Sequence, residues 1–404
     1  MNQYKLAIYA PHPVQYHVPI YREVQKINEI KSVVLYADTL GVKAIYQPEF
    51  KVAIRWDVPL LDGYDYLFFR NFSKNKMGGF LSRINPGLFL HILTKRYDSV
   101  LIQGYHTINS WLILVASKLS NTKIIFRGEA IPKKKRKGWR SNISTKLAKK
   151  FLKSCDVVMY SCSGNLEYWQ KLDVPERKFF FIPCAVDNDY FQNNYQKLIP
   201  LEEGIRKDLG IASDDFVILF SARFTKRKRP LDLIEAVTKV SSQKVVVLFV
   251  GNGPEIEAMK KIASERKIRA IFTGFVNQKD ISKYYTVADM FAVISSYDAS
   301  PKALNEALNF SLPVLCSDGV GTAKDLVKEG VNGSVVPYGD INSMANFIKF
   351  LSCNEKVVKE MGENSKKIVK DWTPKKDALG VLDALNYIFK VPDRGSVNPT
   401  PLGG

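Results

Sequence analysis

Short runs rich in Val, Ile, Leu and Phe recur along this chain, and between them apolar residues return every three or four positions. In the first half the runs lie at 5–9, 32–36, 99–103, 123–127, 157–161 and 179–183. In the second half they lie at 216–221, 244–250, 270–273, 290–294, 313–316 and 334–336. Runs of this kind alternating with helical periods predict parallel sheets assembled from βαβ units, and an α/β fold. The runs are too many for one compact sheet. The pattern also breaks in a polar stretch without clear period, which places a linker near residues 190–206. Two doubly wound Rossmann-like domains follow, 1–195 and 206–374, facing one another across a cleft. Ligands of such sheets bind beyond the carboxyl ends of the strands. A helical stretch at 375–390 comes after the second domain. The tail 391–404 has Pro, Gly and Ser with few apolar anchors and reads as disordered.

Composition narrows the partners. The chain has 404 residues, 46% hydrophobic and 25% charged, which suits a soluble protein with two cores. No apolar run is long enough to span a bilayer. The opening MNQYKLAIYAPH enters a strand directly, without the features of a signal peptide, so a cytoplasmic protein is expected. Cys155, Cys162, Cys184, Cys316 and Cys353 are odd in number, widely spaced and free of any CxxC pair, which argues against disulfides and a zinc site. With only four histidines, no metal site is expected. A net charge of +19 implies an anionic partner: a phosphorylated ligand, nucleic acid or an acidic membrane face. The segment 132–153 is rich in Lys and Arg. Ile143, Leu147, Phe151 and Leu152 form a helical stripe in it, so residues 133–153 are a candidate for peripheral contact with an anionic membrane. The segment lacks an interleaved aromatic platform, and no nucleic-acid binding is expected.

The chemistry concentrates at strand ends. After the run at 290–294 comes SSYDASPKALNEALN. Ser300 can cap a helix whose first turn holds Pro301. Ala303, Leu304, Ala307 and Leu308 then make an apolar face, opposite Lys302, Asn305, Glu306 and Asn309. A helix start at a strand end binds anions, because its N–H groups and dipole point at one spot. After the run at 216–221, Arg223 and Lys228 lie in a basic loop suited to a diphosphate. Gly251 and Gly253 follow the run at 244–250 and permit close backbone approach, and Phe275 and Val276 follow the run at 270–273. In the first half, His12, Gln15, Tyr16 and His17 follow the first run, His106 the third, and Arg127, Gly128 and Glu129 the fourth.

Asp298 and Glu306, with seven residues between them, resemble the signature of the retaining GT-B glycosyltransferases of family 4, the glycosyl transferases group 1. The downstream SLPVLCSDGVGTAKDLVKEGVNGSVVP and the spacing of Arg223 and Lys228 resemble that family too. The resemblance implies a GT-B fold and a metal-independent hexosyltransferase. Such an enzyme needs no cofactor beyond a nucleoside-diphosphate sugar as co-substrate. It moves the sugar, with retention of configuration, to a hydroxyl of a glycan or lipid-linked glycan in cell-surface polysaccharide synthesis. Carried over residue by residue, Glu306 holds the ribose, Asp298 the donor sugar, and Val276 the base. Arg223, Lys228, Gly253, Ser300, Ala303 and Leu304 hold the diphosphate region. His12, His17, His106 and Arg127 are candidates for the acceptor. The chain departs from the family at Asp298, where Glu is usual, and at Arg229, where Gly is usual. It also has Arg127–Gly128–Glu129 near the place of a catalytic-site His, so Glu129 becomes the candidate there, acting on the acceptor hydroxyl or steadying positive charge on the sugar. The late helix of the family crosses back to the first domain. A nucleotide-sugar epimerase or hydrolase on the same fold, or a membrane or nucleic-acid adaptor with a vestigial donor site, are the other readings.

Overall fold

A computed structural model of the chain describes residues 3–42, 45–47, 52–54, 56–74, 79–132 and 139–389. The tail 391–404, expected to be disordered, and residues 133–138 of the basic segment lie outside the described residues.

Two parallel sheets carry the fold. From edge to edge the first orders its seven strands Tyr66–Phe68, Ile30–Tyr36, Tyr4–Ala10, Ser99–Gln103, Lys123–Arg127, Val157–Tyr160 and Phe179–Phe181. The second orders its six strands Arg269–Gly274, Val245–Val250, Phe216–Ser221, Met290–Val293, Val314–Ser317 and Gly333–Val336. Each sheet begins near its middle, runs to one edge, then returns to the other side of its first strand. Its switch point therefore lies between Tyr4–Ala10 and Ser99–Gln103, or between Phe216–Ser221 and Met290–Val293, and doubly wound sheets bind ligands there.

The continuous apolar runs arise because both faces of each sheet are covered. Leu6 and Ile8 pack on one face of the first sheet, and Ala7 and Tyr9 on the other. In the second sheet Val217 and Leu219 face one cluster, and Ile218 and Phe220 the opposite one. Side chains alternate in direction along a strand, so each run feeds two cores. The last helix, Pro374–Phe389, packs Ala378, Val381, Ala384 and Leu385 into a core of the first sheet. Among the described residues no helix is long and apolar enough to cross a membrane.

The structure corrects or sharpens three local readings. The stretch read as an unpatterned linker is helical, with Asn188–Leu198, a short 3-10 turn at Ile199–Leu201, then Glu202–Asp208. Asp187 caps the first of these, accepting a 3.0 Å bond from the Tyr190 N–H, and buried Phe191 with Tyr195 anchors it to Phe310. The helix Lys302–Asn309 is not exposed on its polar side, for Asn305, Glu306 and Asn309 are all buried. Asn309 Nδ2 donates to Asn188 Oδ1 at 2.9 Å, so this polar face docks on the Asn188–Leu198 helix. The apolar stripe of the basic helix Trp139–Ser154 splits. Phe151 and Leu152 are buried, whereas Ile143 and Leu147 are each 48% exposed.

Candidate active site

Between the two switch points lies a cavity of about 280 Å³. Gln15, Tyr16 and Trp56 reach it from the first sheet's side. From the second sheet come Ser221, Arg223 and Lys228 of one strand exit, Phe275 and Val276 of another, and Lys302, Ala303 and Glu306 of the helix Lys302–Asn309. Lys302 and Ala303 open that helix at the cavity wall, so the positive end of its dipole meets the cavity that holds Arg223 and Lys228.

Not every candidate takes part as expected. Ser300 caps nothing: Pro301 holds the N-cap position, and the Ser300 hydroxyl instead lies 3.0 Å from Lys302 Nζ. Leu304 is fully buried, and its N–H already bonds the Pro301 carbonyl at 3.0 Å. Of the two glycines, Gly251 lines the cavity, with φ +135°. Gly253 does not line it; a Cβ there would stand 2.3 Å from the Phe224 carbonyl, so this glycine serves packing of the Arg223 loop. Arg229 adopts φ 56°, the left-handed path a glycine would follow, and is held by ion pairing with Asp232 and by its guanidinium 5.7 Å from the Tyr338 ring.

The two acids differ in surroundings. Glu306 is 4% exposed. Tyr285 Oη donates to its Oε2 at 2.8 Å, and Tyr16 bonds it from the first sheet's side. Burial raises its pKa, against the lowering effect of both tyrosines. Asp298 pairs with Lys228 Nζ, and its Oδ1 lies 3.7 Å from Arg227 Nη1. Its backbone is tied to the neighbouring turn, N–H to the Gly319 carbonyl at 2.9 Å and carbonyl to the Gly321 N–H at 2.7 Å.

Beside the cavity lies a cluster that the spacing of the sequence did not reveal. Lys302 Nζ is 3.4 Å from Glu129 Oε2 and 2.8 Å from Cys184 Sγ. Arg127 Nη2 is also 2.8 Å from that sulfur, and Cys184 bonds Glu129 Oε1. Burial works against the charge of Glu129, but Lys302 and Arg127 outweigh it and hold its pKa down to about 2. Burial likewise disfavours the Lys302 ammonium, and Cys184 and Glu129 more than offset this, so its pKa is raised. Burial and Arg127 together lower His17 to about 3, so its imidazole is neutral at physiological pH. The ligand atoms of His17, Glu129 and Cys184 lie within 4.8 Å of one another. Two cationic side chains already contact the sulfur, which opposes a divalent ion at this spot. Arg127 is 6% exposed and its charge is spent inside this cluster.

The remaining acceptor candidates are scattered. His12 Nδ1 lies 3.3 Å from Arg83 Nη2, and burial with Arg83 lowers it to about 4. His106 is exposed and packs its ring 4.4 Å from that of Tyr105. None of His12, His17 and His106 lines the cavity, whereas Gln15, Tyr16, Trp56 and Lys302, absent from the candidates, do.

Residues 202–368 match the family model Glycosyl transferases group 1. The alpha-monoglucosyldiacylglycerol synthase of Acholeplasma laidlawii is 25% identical over 197 residues, covering 47% of this chain and 48% of that protein. The N-acetyl-alpha-D-glucosaminyl L-malate synthase of Bacillus anthracis is 24% identical over 168 residues, 41% of this chain and 43% of its own. The chain thus spans about half the length of the curated relatives it matches. The solved structure of Anabaena HepE in complex with UDP superposes with a TM-score of 0.74 at 16% identity, over 95% of this chain and 99% of that one. A glycosyltransferase from Rickettsia africae superposes with a TM-score of 0.75 at 18% identity, over 97% and 100%. At such identities the likeness is one of fold. Residues 202–368 are a Glycosyl transferases group 1 domain, set within a chain whose two Rossmann-like domains have the GT-B architecture.

Proposed function

We propose that this protein is a glycosyltransferase of the family 4 type, moving a hexosyl unit from a nucleoside-diphosphate sugar to a hydroxyl acceptor. The observation that carries the reading is convergence: Arg223, Lys228, the start of the helix Lys302–Asn309 and Glu306 all border one cavity between the sheets. Cations and a helix dipole there match a diphosphate, and a buried carboxylate matches ribose hydroxyls. Phe275 and Val276 at its end suit a base, and UDP bound to Anabaena HepE makes uridine the first base to test.

The chemistry follows from charge. As the bond from anomeric carbon to phosphate oxygen breaks, its electron pair stays on the diphosphate. Arg223, Lys228 and the helix start offset that growing negative charge with preorganised donors, without a metal. The acceptor oxygen bonds to the same carbon on the same face, which retains configuration, and its proton passes to the departing phosphate oxygen. Glu129, held ionised, is a weak base; it serves as fixed negative charge that steadies the sugar's positive character. Asp298 orients the sugar hydroxyls beside Lys228.

Names among the relatives, a glycolipid synthase and an O-antigen mannosyltransferase, support a glycan or lipid-linked glycan as acceptor in surface polysaccharide or glycolipid synthesis. Exposed Ile143 and Leu147 on a basic helix support peripheral contact with an anionic membrane, at the cytoplasmic face. In this reading the first sheet, up to about residue 195, serves the acceptor, residues 206–374 serve the donor, and the last helix ties the two together.

Transfer from a panel of UDP-, GDP-, ADP- and dTDP-sugars tests the proposal. Arg223→Ala and Glu306→Ala are each expected to lower turnover by about 100-fold or more while leaving the circular dichroism spectrum unchanged. Undiminished turnover in both variants would overturn it.

A further inference from the structure

A second and larger cavity, about 650 Å³, opens along the same seam between the two sheets. Ile131, Glu167 and Lys171 wall it from the first sheet's side, and Arg227, Tyr297 and Tyr338 from the second's. It shares no lining residue with the donor cavity. Asp298 lines neither cavity but its carboxylate links their walls: it pairs with Lys228, which lines the donor cavity, and lies 3.7 Å from Arg227, which lines this one. In the glycosyl-transfer reading, a sugar oriented by Asp298 stands next to this second space.

We infer that the second cavity seats the acceptor, and that the acceptor segment it takes is a sugar chain carrying an acidic group, carboxylate or phosphate. The inference rests on the glycosyl-transfer reading and names the substrate class of its other half. The volume falls within the roughly 300–1,000 Å³ usual for ligand sites. Two tyrosines supply flat apolar faces with polar tips, which suits rings that are apolar on their C–H faces and polar at their rims. Both rings are positioned: Tyr297 Oη donates to the Ile131 carbonyl at 3.3 Å, and Arg229 stands 5.7 Å from the Tyr338 ring. The sign of the ligand follows from the ionised groups. Lys324 is paired with Glu167 at 2.9 Å across the seam, and Asp318 Oδ1 accepts the Tyr338 N–H at 2.9 Å. Lys171 stands at the C-terminal end of the helix Ser163–Gln170, with no carboxylate assigned to it among the described residues, whereas Arg227, 47% exposed, shares the Asp298 carboxylate with Lys228 and donates to the Tyr297 carbonyl. Cations outnumber carboxylates in the lining, so an anionic chain gains where a neutral one does not.

Calorimetry on the full chain tests this with UDP and three oligosaccharide probes: oligogalacturonate for the carboxylate, a phosphorylated mannopentaose for the phosphate, and maltohexaose as neutral control. At least one acidic probe is expected to bind saturably, alone and with UDP present, while maltohexaose does not. Which acidic probe binds decides between the two sources of charge. Lys171→Glu, at an exposed helix end, should weaken that probe at least tenfold and leave UDP affinity unchanged, and Lys171→Arg should restore it. Equal binding of all three probes, competition between the acidic probe and UDP, or indifference to Lys171→Glu overturns the inference. Saturable UDP binding with no acidic probe bound overturns the acceptor assignment alone. Absence of UDP binding removes the glycosyl-transfer reading with it.

Discussion

Glu129 holds its charge between two cations, and that has a measurable consequence. Its pKa lies near 2 in the folded protein against an ordinary 4.5, because Lys302 and Arg127 outweigh the burial that opposes its charge. A depressed carboxylate contributes stability that is complete above the ordinary value and lost as pH falls toward the folded one. Urea midpoints measured from pH 6 down to pH 2.5 should therefore fall more steeply for the native chain than for Glu129→Gln, with the divergence beginning near pH 4.5. Parallel curves would show that Glu129 is not ionised by its neighbours. Tyr285→Phe probes the other acid. It removes one donor from the buried Glu306, and nucleoside diphosphate affinity should drop by about tenfold, the effect of about 1.4 kcal/mol in positioning a charged hydrogen-bonding group. Titration calorimetry with UDP reads this directly. At this scale the sequence was a partial guide. Arg223, Lys228, Val276, Ala303 and Glu306 are local to strand ends, and a strand end announces itself. Lys302 was read only as one polar residue on a helix face. Its partners Glu129 and Cys184 lie 173 and 118 residues away, and no periodicity reports contacts of that kind.

The last helix and the backbone it grips are one mechanical unit. Asp377 is 1% exposed, and its two carboxylate oxygens accept the N–H groups of Cys184 and Ala185 at 2.9 and 3.0 Å. Cys184 sits at φ 51°, a left-handed conformation that costs a side-chain-bearing residue energy, and Asp377 fixes it there. The same Cys184 contacts Lys302, so the late helix steadies the strand exit that meets the start of the helix Lys302–Asn309. Asp377→Ala leaves two buried N–H groups and the nearby Arg127 without their carboxylate. A loss of about 3 kcal/mol in unfolding free energy is expected from chemical denaturation. A loss below about 1 kcal/mol would show that the helix is held by its apolar face alone. Elements buried on both faces were legible because they give unbroken apolar runs. The helix Asn188–Leu198 was not, since most of its surface is polar and its hold rests on Phe191, Tyr195 and one Asp cap. The strand Tyr66–Phe68 also escaped notice; all three residues are exposed, so no buried pattern marks it.

Neither sheet makes a complete donor cavity alone, and this sets what a bound nucleotide must do to the whole molecule. Gln15, Tyr16 and Trp56 border the cavity from one side, and Tyr16 reaches across to Glu306. Other bonds cross the same seam: the Lys279 N–H to Asp57 Oδ2 at 3.1 Å, Ser163 N–H to Asp325 Oδ2 at 3.0 Å, and the ion pair of Lys324 with Glu167. A ligand that binds only the closed arrangement stabilises every contact needed to keep it closed. UDP at about 100 times its dissociation constant should add about 2.7 kcal/mol to the unfolding free energy. Hydrogen exchange should locate that gain on both sides. Amides near the helix Val18–Gln25 and the helix Ser163–Gln170 should slow along with those of the strand exits at Ser221 and Gly274. Protection confined to the second sheet would mean that the nucleotide is held by one domain, and that Tyr16 and Trp56 border its site without contributing to binding. A shared gain would identify the seam as the element whose closure binding selects, and Asp325→Ala should then reduce UDP affinity although it lines neither cavity.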